Sequence, residues 1–204
     1  MPNSSTMPDR IRKVMTMDFR RLENNLIDNI REAHLKLGYD ERPMSFNYTL
    51  DSLCHLLGSD MSMDGMEKAL ESFSAASGAV SGGMTFRRIK NGFCLTVTAS
   101  GTAYVKSITT GEEFIAKLVE KIRSHASSLE EVVDVFRDFS GGVITETPDS
   151  SEFDLLVRFP EGSVDEYYYC LSAEQEIDGH THIAYHRFIK EDYSSLFPKS
   201  VPLK

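Results

Sequence analysis

The reading of the chain turns on Pro43 to Ile108, PMSFNYTLDSLCHLLGSDMSMDGMEKALESFSAASGAVSGGMTFRRIKNGFCLTVTASGTAYVKSI. Pro43 cannot sit inside a helix, and it pushes its neighbour into an extended conformation. Met44 to Tyr48 therefore reads as a short strand. Thr49 is placed to cap a helix carrying Leu50, Leu53, Leu56 and Leu57, which Gly58 ends. Ser62 caps a second helix, Met63 to Ser77, with Met63, Met66, Leu70 and Phe73 on one face. Met84 to Lys90 and Phe93 to Thr98 then flank Asn91-Gly92, a dipeptide that favours a two-residue hairpin turn. In the second strand Phe93, Leu95 and Val97 alternate with Cys94, Thr96 and Thr98, the pattern of a sheet buried on one side. Gly101 to Ile108 fits either a strand extension or a short helix.

Upstream, Phe19, Leu22, Leu26, Ile30, Ala33 and Leu37 recur at helical spacing, with Gly38 as the C-cap. The resulting order is helix, strand, helix, helix, strand, strand, which is that of a winged helix. Downstream, Thr110 to Glu113 and Ser128 to Glu131 match capping boxes. They open helices carrying Phe114, Leu118 and Ile122, and then Leu129, Val132, Val133 and Phe136. Four strands are expected after Gly141-Gly142: Val143 to Thr147, Phe153 to Phe159, Glu166 to Leu171 and His180 to Ile189. The short polar turns between them imply an antiparallel meander. The expected fold class is α+β: a polar lead over 1–16, a winged-helix-like module over 17–109, and a two-helix, four-stranded meander unit over 110–204.

Leu26-Ile27-Asp28-Asn29-Ile30, Leu37-Gly38-Tyr39, Pro43, Tyr48 and Leu56-Leu57-Gly58 together resemble a family of domain-of-unknown-function proteins from gut clostridia. These are core and cap positions, so the resemblance carries over no functional residue. It implies a bacterial, cytoplasmic source.

Of the 204 residues, 41% are hydrophobic and 26% charged, as in ordinary globular proteins. No apolar run is long enough to span a membrane. The polar first residues lack the apolar core of a signal peptide. Three scattered cysteines, Cys54, Cys94 and Cys170, form neither a disulfide framework nor a zinc spacing. The net charge of −9 is uneven: residues 1–110 hold 13 Lys/Arg against 12 Asp/Glu, and residues 111–204 hold 9 against 19. The acidic half should repel nucleic acid and anionic membranes.

Candidate sites are few. His180, His182 and His186 share one strand face and could ligate zinc, iron or nickel. No carboxylate follows where the next ligand belongs, so the expectation is a solvated face with Ile183 and Tyr185 buried opposite. Arg87, Arg88 and Lys90 on the hairpin could grip phosphates. The second paired helix, however, carries Asp64, Glu67 and Glu71 against Lys68 and lacks the Arg of a base-reading helix. Asp165, Glu166, Glu174, Glu176 and Asp178 read as solvated carboxylates. Tyr167-Tyr168-Tyr169 reads as a strand with Tyr168 on one face, its two neighbours on the other and their hydroxyls wet. Cys54 and His55 are adjacent on one helix and diverge, so they are not a dyad. No nucleophile elbow and no phosphate-binding glycine loop is present, and no cofactor is expected. The expected role is a non-catalytic interaction or regulatory module that contacts a protein partner or a second copy of itself. The alternatives are a metal-dependent function at the histidines and weak DNA binding through the hairpin.

Overall fold

The computed structural model describes residues 19–38, 42–76, 80, 83–110, 113–124, 128–163, 165–175 and 181–198. The N-terminal part runs α1 (Arg20–Leu37), β1 (Met44–Thr49), α2 (Leu50–Leu57), α3 (Met63–Ala76), β2 (Met84–Ile89), β3 (Gly92–Val97) and α4 (Ala99–Ile108). Its antiparallel sheet has the order β1-β3-β2. The remainder runs α5 (Phe114–Arg123), α6 (Leu129–Phe139), β4 (Ile144–Glu146), β5 (Leu155–Arg158), β6 (Tyr167–Gln175), β7 (Thr181–Ile189) and α7 (Lys190–Leu196). Its four strands pair in chain order, all antiparallel. The protein is α+β, and the elements expected as far as β7 stand in the expected order.

The caps do what their side-chain chemistry allows. Thr49 Oγ1 accepts from Ser52 N at 3.1 Å, and Gly58 closes α2 at φ 62°. Ser128 Oγ accepts from Glu131 N at 3.3 Å. At Thr110 only the return half of the box is present: Glu113 Oε1 accepts from Thr110 N at 3.1 Å, and α5 starts after Glu113. Gly101 to Ile108 resolves as helix, because Thr98 Oγ1 caps it by accepting from Gly101 N at 3.3 Å.

Four expectations change. The hairpin is there, but Ile89 pairs with Gly92, so the turn residues are Lys90 and Asn91. Gly92 is needed for close approach instead of turn geometry. A Cβ built on it would lie 1.9 Å from the Tyr48 carbonyl oxygen of the neighbouring strand. Cys94 is buried, because β3 is the central strand and is covered on both sides. Leu37 is 86% exposed, since the periodic face of α1 ends with Leu22, Leu26 and Ile30 in the core. Finally, α7 follows β7 directly, with Ile189 as its extended N-cap residue.

One core gathers α1, α2, α3, β3 and Val105 of α4, and it also takes in Ile189 of β7. A second is built from Phe114, Phe136, Phe159 and Tyr169, whose rings meet edge-on or tilted at 4.8–5.7 Å, and Leu35 of α1 packs against it. Leu156, Cys170 and Tyr193 form a third, smaller cluster on the opposite face of the sheet. Thus α1 touches both main cores. No helix among the described residues is long and apolar enough to cross a membrane.

Leu26→Ala and Leu53→Ala, both fully buried, should each cost about 2–5 kcal/mol in urea melts. Gly92→Ala should cost at least about 1–3 kcal/mol, because backbone must move. Gly141→Ala, whose Cβ meets nothing within 4 Å, should stay within about 0.5 kcal/mol of the parent. Equal melts for the two glycine variants would contradict this packing.

Candidate functional site

Where α1 meets β6 and β7, a polar network is buried. The Arg187 side chain is only 4% exposed and pairs with Glu32 at 2.8 Å. It also donates to Asn29 Oδ1 at 2.7 Å and lies 4.1 Å over the Tyr167 ring. A guanidinium cannot shed its charge at any ordinary pH. Buried without such partners it would cost several kcal/mol, so the partners are obligatory. The network continues into the N-terminal core. Tyr48 donates its hydroxyl to Asn25 Oδ1 at 2.5 Å, Asn29 Nδ2 donates to Asn25 Oδ1 and to Tyr48 at 3.0 Å each, and Asn25 Nδ2 donates to the Tyr167 hydroxyl.

Burial would raise the Glu32 carboxyl, but Arg187 and Lys36 outweigh it and hold the group below the usual glutamate range. Asp28 and Asp165 go the other way, pushed up chiefly by burial. Burial also raises Tyr48, Tyr167 and Tyr169, so their hydroxyls remain protonated. Two sequence expectations are thereby corrected. Tyr169 is fully buried, and its hydroxyl donates to Asp165 Oδ2 at 2.6 Å instead of meeting water. Asp165 is no solvated carboxylate, since it also accepts from Tyr167 N at 3.0 Å. Tyr168 does take the opposite face, packing with Tyr193. Glu166 and Glu174 are exposed as expected, while Glu176 and Asp178 lie outside the described residues.

At one end of this joint four charged or polar side chains from four elements converge. His55 of α2 places Nδ1 2.9 Å from Glu191 Oε1 of α7, and Nε2 3.1 Å from Arg21 Nη2 of α1. Glu166, just ahead of β6, pairs with Arg21 and lies 3.4 Å from His55 Nε2. The imidazole thus bridges α2 to α7 through Nδ1 and faces both Arg21 and Glu166 through Nε2. Asp192 fixes the position of Glu191 by accepting from Thr49 Oγ1 at 2.9 Å and from Ser52 Oγ. Two clefts of about 230 and 250 Å³ open on either side of the Arg21–His55 contact. The first is walled by Asn24, Asn25, Asp28 and Ser163, the second by Arg158, Phe159, Tyr168 and Lys190.

The sites read from sequence lie elsewhere. His182 and His186 are exposed on the outward face of β7, and His180 lies outside the described residues. The His186 ring packs against Phe153 at 5.6 Å, and His182 sits opposite Glu174 in the ladder. Among the described residues, no group of three or more His, Cys, Asp or Glu is placed to hold a metal ion. Arg87, Arg88 and Lys90 are exposed along the hairpin, with Arg88 paired to Asp64 at 2.9 Å and near Glu67 at 3.8 Å. Sequence reasoning missed the Arg21–His55–Glu166–Glu191 group. His55 was weighed only against its neighbour Cys54, and no spacing links these four positions.

The family model described as "Domain of unknown function, E. rectale Gene description (DUF3877)" matches residues 19–197. No curated protein and no solved structure matches the chain.

Arg187→Met should cost about 3–5 kcal/mol at neutral pH, because Glu32 then loses its buried partner and keeps only the partly exposed Lys36. The Glu32 carboxyl lies low in the folded protein, so its stabilising share is present above its unfolded value and lost as pH falls through the folded one. The gap between parent and variant in urea melts should therefore narrow in acid; a gap independent of pH would contradict the pairing. For the histidines, zinc content and melting should be unchanged in His182→Ala/His186→Ala, and loss of one bound equivalent would contradict a solvated face.

Proposed function

We propose that this chain, which belongs to the DUF3877 family, is a non-catalytic interaction or regulatory module of the bacterial cytoplasm. Its winged-helix-like part meets a protein partner or a second copy of itself. The observation that carries this reading is the pairing of Arg88 with Asp64 and Glu67. A winged helix that reads DNA presents cations from its second paired helix and its hairpin together. Here α3 offers Asp64, Glu67 and Glu71 against Lys68, and those carboxylates occupy one of the hairpin's three cations. Arg87 and Lys90 remain to meet phosphates, a footprint too small for tight binding. The same mixed-charge surface suits a protein contact, where complementary charges set register and partner choice.

Fluorescence anisotropy with a labelled random-sequence duplex at low salt, run beside light scattering over a concentration series, tests the reading. The expected outcome is no salt-dependent DNA binding, together with a mass that rises with protein concentration or on addition of a partner. Binding that falls steeply with salt and disappears in Arg87→Ala/Arg88→Ala/Lys90→Ala would replace it with a DNA-binding role.

A further inference from the structure

We infer that the cleft of about 250 Å³ beside the Pro160–Gly162 turn is a binding site for a small flat organic anion, one or two aromatic rings bearing a carboxylate or a phosphate. The inference is independent of what the N-terminal module contacts. It starts from charge. Residues 111–204 hold 9 basic side chains against 19 acidic ones, so cations are scarce in that part of the chain. Yet Arg21, Arg158 and Lys190 converge on this cleft, against Glu161 and Glu166. A concave site that gathers cations draws in anions, because its walls focus the field.

The cations differ in how firmly they are held. Arg158 is anchored: Nε and Nη2 donate to the same oxygen of Glu146 at 3.2 and 2.6 Å. Its guanidinium carbon lies 5.8 Å from the Tyr168 ring centroid. It is thus a fixed wall of the site. Lys190 is loosely held, 3.5 Å from Glu161 with the two side chains 54% and 87% exposed. Pairs of this kind are worth little, so the ammonium is free to turn toward an arriving anion. Arg21, half exposed in its pair with Glu166, can do the same from the other side.

The remaining walls are rings, with Phe159, Tyr167 and Tyr168 lining the same space. Aromatic walls take flat ligands by stacking or edge contact, while a few polar groups fix orientation. The volume lies below the roughly 300–1,000 Å³ of drug-sized sites, which limits the ligand to one or two rings. The ring then lies among the aromatics and the anionic group between Lys190 and Arg21.

Thermal melts and titration calorimetry of the full chain test this, with benzoate, indole-3-carboxylate and phenyl phosphate as probes and with benzyl alcohol and inorganic phosphate as controls. At least one ring-bearing anion should raise the melting temperature at millimolar concentration, more than either control does. The carboxylate and phosphate arms then tell which anionic group the site takes. Lys190→Ala, at an exposed position, should melt like the parent without ligand and bind the best probe about tenfold more weakly, as for a lost charged contact. Arg21→Gln should weaken it similarly. No shift with any of the three anions would overturn the inference. So would a shift matched by benzyl alcohol, or binding unchanged in Lys190→Ala.

Discussion

A buried guanidinium sets the terms for this fold. Arg187 lies between α1 and the C-terminal sheet and cannot neutralise itself, so every close approach around it must supply a carboxylate, an amide oxygen or a ring face. Glu32, Asn29 and Tyr167 supply these, and two of the three come from α1. A slip of α1 by one residue along β7 would separate Glu32 from Arg187 and leave the guanidinium without its carboxylate. The apolar contacts alone are more forgiving, because cores of leucine, isoleucine and phenylalanine tolerate repacking. The ion pair and its hydrogen-bonded neighbours therefore select one alignment of the two halves. Leu22, Leu26 and Ile30 on one side of α1 and Leu35 nearer its end then fill the two main cores.

The candidate site is the rim of that joint. Fixing α1 against β6 brings Arg21 to Glu166, and fastening Asp192 to the start of α2 brings Glu191 to His55. The buried part of the network is fully committed, whereas the rim is open and loosely paired. Rim side chains can exchange partners at little cost, and a ligand that engages Arg21 together with Arg158 or Lys190 touches both halves at once. The network of Asn25, Tyr48 and Tyr167 would keep the joint in register while its edge adjusts.

Much of the fold could be read locally, for physical reasons that end where local information ends. The Thr49 and Ser128 caps and Leu22, Leu26 and Ile30 of the α1 stripe are short-range features, and each stands where its residues predicted. The resemblance carried by Leu26 to Ile30 and Leu56-Leu57-Gly58 extends to a family match over residues 19–197. The turn register at Lys90-Asn91 was not legible, because Gly92 answers to a strand from residues 44–49 and not to the hairpin itself. Tyr169 and Asp165 were misread as solvated, since nothing in their neighbourhood announces that the two hydrogen-bond to each other inside the core. The candidate site was the least legible part. Its four members come from positions 21, 55, 166 and 191, and only the folded joint brings them together.

The central claim is that the Arg187 network makes α1 and the C-terminal sheet a single cooperative unit. Native-state hydrogen exchange on the intact chain measures this directly, since units that open together share one opening free energy. Buried amides of α1 around Leu26 and Ile30 and of β6–β7 around Tyr169 and Tyr185 should exchange with the same free energy and the same denaturant dependence. A sheet that opens at markedly lower free energy while α1 stays protected would contradict the account and leave two halves merely in contact.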